Sequence, residues 1–162
     1  MDIATIETLL YKHWNAEELT EGAGKLAYRI IGGYKFQFRR VDYMQRTSLL
    51  IEALAAIKNV TPVIGKVQAF AESEQESEEK DVAAVFDIIP DLIAALATQE
   101  IHALVVKLCE TVSVDIGEGK FQSLTEEVVA EKVFGDDLTL QIPVALTAAT
   151  RNLDGILNKI KL

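Results

Sequence analysis

The longest apolar stretch of the chain runs from Asp81 to Val112, and its spacing is helical. Val82, Val85, Phe86, Ile89, Ile93 and Leu96 recur at intervals of three and four, as do Ile101, Leu104, Val105, Leu108 and Val112. Such spacing puts each set on one face of a helix. The back of the first set is apolar too, since Ala83, Ala84, Ile88, Leu92, Ala94 and Ala95 leave only Asp87 and Asp91 charged. A helix apolar nearly all round belongs in a core or against a partner. Pro90 kinks that helix or restarts it after Ile89. Thr98, with Glu100 behind it, caps the second helix.

A period of two takes over between 25 and 41. Tyr34, Phe36 and Phe38 alternate with Lys35, Gln37 and Arg39, and Leu26, Tyr28 and Ile30 alternate with Ala27, Arg29 and Ile31. Gly32-Gly33 between the runs suits a tight loop that needs positive φ twice, so a β-hairpin is predicted over 25–41. Ahead of it, Asp2 caps a helix ending near Trp14, and Asn15 with Glu18 resembles a capping box. Residues 1–24 read as a helical arm.

After the hairpin, Asp42 caps a long helix with Leu49, Leu50, Leu54, Ala55 and Ile57 turned inward. Thr61-Pro62 restarts a helix towards Phe70. Glu72 to Asp81 holds six acids and one lysine with nothing apolar to bury, and predicts a flexible, solvated acidic connector over 72–81. Val112 to Ile116 alternates briefly, as a short strand or an extended link, before Gly117-Glu-Gly119 turns the chain. Thr125 caps a helix through Val128, Val129 and Val133 that stops at Gly135. Asp136 or Asp137 opens the last helix, with Ile142, Ala145, Ala149, Leu153, Ile156, Leu157 and Ile160 inward. The expected fold is mainly α: a compact multi-helix domain over 25–162 with one small N-terminal β-hairpin, preceded by the arm.

Composition narrows the function more than the fold. With 162 residues, 49% of them apolar, a real core is available. A net charge of −9 and a pI near 4.7 repel phosphates, so no nucleic-acid partner is expected. The one cysteine, Cys109, lies on an apolar helix face and reads as a buried, inert thiol. The longest uncharged run, Leu138 to Thr150, has 13 residues, too few for a membrane-spanning helix of about 20. No secretory signal opens the chain, so a cytoplasmic protein is expected.

Chemistry is sparse. His13 and His102 are the only histidines, and no zinc-ligand spacing or phosphate-binding glycine loop occurs. Ser48, His102 and Asp87 form a triple of the kind that can be drawn in most proteins. Asp115, Glu118, Asp136 and Asp137 match no calcium loop and are explained as turn and cap residues. No catalytic, metal or cofactor site is expected, and no enzyme. Charge is distributed more tellingly. Lys25, Arg29, Lys35, Arg39, Arg40 and Arg46 stand against Asp42 alone, a local +5 that leaves −14 for the rest of the chain. Basic and acidic regions of that kind either form a plain solvated surface or suit copies pairing head to tail, or one pole receiving a partner protein. Arg39 and Arg40, with Ile88, Leu92 and Ala95 on the apolar back of the central helix, are the candidate partner-binding residues. Stacking of nucleic acid on Tyr34, Phe36 and Phe38 is the weaker account, because strand alternation already explains those aromatics.

The order of elements resembles the tail assembly chaperones of long-tailed bacteriophages and prophages. The resemblance rests on Tyr34-Lys-Phe-Gln-Phe-Arg-Arg40 running into Leu49-Leu-Ile-Glu-Ala-Leu54, then Val112-Ser-Val-Asp115, Val133-Phe-Gly135 and Asn152 in the last helix. It spans roughly residues 34 to 160. It implies a non-enzymatic chaperone that binds the tape measure protein, helps recruit the tail tube protein, self-associates, works in the host cytoplasm and is absent from the mature virion. The alternative is an acidic DNA-mimic inhibitor of a host nucleic-acid enzyme, motivated by the −9 charge and the Glu72–Asp81 run.

Overall fold

Gly32 and Gly33 adopt φ of 59° and 84°, the paired positive values that a tight two-residue hairpin loop requires. The computed structural model describes residues 11–56, 98–117 and 119–157. Its strands are β1 (Thr20–Glu21), β2 (Leu26–Ile31), β3 (Tyr34–Arg39), β4 (Val112–Asp115) and β5 (Phe121–Ser123). Its helices are α1, described over 43–56, α2 (Gln99–Cys109), α3 (Glu127–Phe134) and α4 (Gln141–Leu157), the last entered through a 3-10 turn at Leu138–Leu140. A few helical residues at 11–13 precede β1.

The expectation of a mainly α fold with one small hairpin is wrong. The hairpin is the middle of a five-stranded antiparallel sheet ordered β1-β2-β3-β4-β5, with helices packed against it, so the domain is α+β. The reason for the error is physical. β1 is Thr-Glu and β5 is Phe-Gln-Ser, too short and too polar to show alternation. β4, the Val-Ser-Val-Asp stretch, was open between strand and link, and it pairs with β3 from Lys35 opposite Asp115 to Phe38 opposite Val112.

Register sorts the two faces. Ala27, Ile31, Phe36, Phe38, Val112 and Val114 share one face and are fully or almost fully buried. α4 lies against β3 and α2 and contributes Val144, Ala145, Ala148 and Leu153 to the core. Trp14, Leu49, Ala53, Ala56, Ile101, Val105 and Leu108 complete the same cluster. The other face carries Tyr28, Lys35, Gln37, Arg39, Asp115 and Phe121, all exposed or half-buried. An antiparallel sheet tolerates one wet face in this way.

Local corrections follow from the same packing. Asn15 closes a helix and opens none: at φ 50° it lets its own N–H reach Lys12 O and that of Ala16 reach Tyr11 O, the paired bonds of a left-handed helix stop. Tyr11 and Trp14 of the expected arm are buried, and β1 joins the sheet. Asp42 caps α1 as expected, its Oδ1 accepting from Gln45 N at 2.9 Å. Leu54 and Ala55, expected inside, are exposed, while Ala53 and Ala56 are buried. In α3, Val129 and Val133 are buried while Val128 is 81% exposed. Gly135 ends α3 at an ordinary φ of −60°; its value is space, because a Cβ there would collide with the Glu131 carbonyl.

One buried side chain ties α4 to the end of the hairpin. Asn152 Oδ1 accepts from Val41 N at 2.9 Å, and Nδ2 donates to Arg39 O at 3.2 Å and Ala148 O at 3.0 Å. One turn back, Thr147 Oγ1 accepts from the Tyr11 hydroxyl at 2.9 Å and donates to Pro143 O. Arg29 lies 3.7 Å from the Tyr11 ring centroid and donates from Nε to Glu17 O at 2.7 Å. Removing the Asn152 carboxamide strands the buried Val41 N–H and the part-buried Arg39 carbonyl, a loss of about 1–3 kcal/mol. Asn152→Ala therefore lowers the urea midpoint. Asn152→Asp lowers it as well, despite equal size, because a carboxylate cannot donate to the two carbonyls; wild-type stability in the Asp variant would refute this account.

Candidate protein-binding surfaces

Several titratable residues of the described region serve the fold. His13 meets the Trp14 ring edge-on at 4.6 Å, and His102 is exposed on α2. Asp115 Oδ1 accepts from Gly117 N, and Asp137 Oδ1 from Thr139 N, the turn and cap roles expected of them. Lys107 joins α2 to α1, donating to Ser48 Oγ at 2.9 Å and pairing with Glu52 at 3.1 Å. Among the described residues no three of His, Cys, Asp and Glu gather where they could hold a metal ion. Glu118 and Asp87 lie outside those residues.

What the fold exposes is surface, in two kinds. The first is basic. β2 begins and β3 ends at the same end of the hairpin, where Arg40 N donates to Lys25 O at 3.0 Å. Lys25, Arg39 and Arg40 are all exposed there. Arg151 of α4 buttresses the strand ends from behind, pairing with Glu21 at 2.7 Å and donating to Lys25 O. Of the residues expected to meet a partner, Arg39 and Arg40 thus sit together on the surface. Ile88, Leu92 and Ala95 lie outside the described residues, as does the acidic run of 72–81.

The second kind is apolar, and the inward assignments made for α1 missed it. Tyr43, Met44, Ile51 and Leu54 are 72%, 73%, 63% and 56% exposed. At 100° per residue they fall within a sector of about 100°, on the side away from Leu49, Ala53 and Ala56. Helical periodicity held the signal: two apolar sets, half a turn apart, occupy one helix. Reading α1 with a single inner face merged them.

A family model described as phage tail assembly chaperone protein, TAC, matches residues 32–161. The chain belongs to that family. Comparison with curated proteins and with solved structures gave no match. In this tail assembly chaperone the matched region starts at the hairpin turn and takes in β3, α1, both bases Arg39 and Arg40, and Asn152. β1 and β2 precede it, so the match begins inside the sheet. Among the described residues no helix is long and apolar enough to cross a membrane.

Cys109 of the chaperone is kept out of chemistry by its surroundings. Burial, with a smaller push from Glu110, raises its thiol pKa from 9.0 to about 12. The thiol is therefore protonated at neutral and mildly alkaline pH, where only the thiolate reacts. Maleimide labelling at pH 8 should be far slower in the native chaperone than in urea. Equal rates would show that the thiol is not shielded. The same shift has a sign for stability. The unfolded chain loses this proton first, so stability is intact below about pH 9 and declines as pH rises towards 12.

Proposed function

We propose that the chain is a non-enzymatic chaperone that binds the tape measure protein, a long and aggregation-prone client, and helps recruit tail tube subunits to it. It does so in the host cytoplasm, through association of several copies, and leaves before the virion is complete. The observation that carries this reading is the family match over 32–161. Two physical features support it. The described surface exposes large apolar side chains on α1, as a protein that shields an apolar client must. The chain also separates charge, with basic residues at 25–46 and acidic residues at 72–81, which suits contacts between copies. Ile88, Leu92 and Ala95 are proposed as the surface shared between copies, with Arg39 and Arg40 presented to a partner.

Co-expression with a phage tape measure protein should move that client into the soluble fraction, and the two should co-purify. An insoluble client with no co-purification would sink the proposal. Light scattering after size exclusion should give a mass above the monomer. Ile88→Ser with Leu92→Ser should bring it down to the monomer with the circular dichroism spectrum unchanged; a collapsed spectrum would mean that this face is core.

A further inference from the structure

The outer side of α1 faces away from the core. Leu49, Ala53 and Ala56 already seat the helix, and Lys107 fastens its flank through Ser48 and Glu52. Yet Tyr43, Met44, Ile51 and Leu54 stand more than half exposed along the opposite side. From Tyr43 to Leu54 this ridge is about 16 Å long, three helical turns. That is more than the roughly 10 Å over which an amphipathic helix presents anchors at i, i+3 or i+4 and i+7. Four large apolar groups in one such row exceed the scatter expected of single surface residues.

Charge at one end of the ridge says what kind of helix it takes. Arg40 stands three residues before Tyr43, no more than about 11 Å along the chain. Lys25 and Arg39 lie beside it at the open end of the hairpin. Among the described residues these three bases make no ion pair, and they outnumber the unpaired acids beside them, Asp42 and Glu110. Asp42 caps α1, Glu21 is held by Arg151, and Glu52 by Lys107. An apolar ridge with an excess of positive charge at its N-terminal end favours a partner whose apolar stripe is flanked by carboxylates.

We infer that the Tyr43–Leu54 ridge and the Lys25/Arg39/Arg40 cluster together form one docking surface for an amphipathic helix with acidic flanks, supplied by another protein. The inference rests on the chaperone reading for its occupant, a helical segment of the client. The cluster steers and orders the helix, and the ridge supplies the burial.

Fluorescence anisotropy tests this with two synthetic amphipathic helical peptides that share one leucine stripe, one flanked by glutamates and the other by lysines. The glutamate peptide should bind about tenfold more tightly or better, with the preference fading as salt rises. Ile51→Ser with Leu54→Ser should abolish binding of both peptides without changing the thermal melt. Arg39→Glu with Arg40→Glu should reverse the preference and leave the ridge able to bind. Unchanged binding in the ridge variant, or no preference between peptides in the wild type, overturns the inference. So does a ridge variant that melts earlier or loses mass with no peptide present, since its own chain or a second copy would then cover the ridge. Co-expression separates the two claims. If the wild type and the ridge variant solubilise the tape measure protein equally, the surface is wrong and the chaperone reading stands. If the peptide results hold but the wild type leaves that protein insoluble, the surface stands and the client does not.

Discussion

The carboxamide of Asn152 spends its hydrogen bonds on the place where β3 gives way to α1, and the direction of everything beyond depends on it. Its oxygen takes the N–H of Val41, and its nitrogen gives to the carbonyls of Arg39 and Ala148. The Val41 N–H has no ladder partner or helical turn, because β3 has ended and α1 has not begun, and the Thr111 N–H opposite the Arg39 carbonyl is spent on Leu108 O. A buried backbone left unpaired there would cost more than the bond itself contributes. The clamp therefore fixes the angle at which α1 leaves the sheet. It also fixes what each residue of the link does, with Val41 buried and Arg39 and Arg40 in water. The helix that holds the core and the surface offered to partners are set by one side chain of α4.

That dependence explains what could be read from the chain and what could not. The hairpin was legible because alternation and Gly32-Gly33 are local signals, and α2 and α4 were legible because their apolar sets repeat over many turns. β1 and β5 were not. Two or three residues carry no period, and their strand state comes from the neighbour they pair with. Asn15 misled for the same reason, since an asparagine before a glutamate suits a helix start and a left-handed stop alike, and only the bonds to Tyr11 and Lys12 choose. Asn152 came to notice through the family resemblance alone. Its chemistry lies in contacts more than 100 residues away in sequence, which no spacing along one helix displays.

The candidate surface was half legible for an electrostatic reason. Arg39 and Arg40 were visible as charge, and charge this dense is rarely buried. The aromatics beside them were equally visible but ambiguous. Phe36 and Phe38 are fully buried under α4's side of the sheet, so they cannot stack on a nucleic-acid base. The open face instead carries Tyr28 against Phe121 at 5.5 Å, with Lys35 over the Tyr28 ring at 5.2 Å and Gln37 donating to its hydroxyl. Those groups already satisfy one another. They close the sheet's wet side, and the exposed bases are left to act with α1.

α1 resolves a conflict between stability and exposure. A helix that keeps Tyr43, Met44, Ile51 and Leu54 in water cannot count their burial towards its own folding. Among its described residues the inner side offers only Leu49 and two alanines as buried apolar groups, and alanines bury little surface. Polar attachments must make up the difference. Asp42 caps the first turn, Lys107 bridges from α2 to Ser48 and Glu52, and Asn152 anchors the link just before the cap. A helix fastened by its cap, its flank and its leading strand stays in place whether or not its outer side is covered. That is the condition a surface must meet if it is to receive a client and later release it without unfolding.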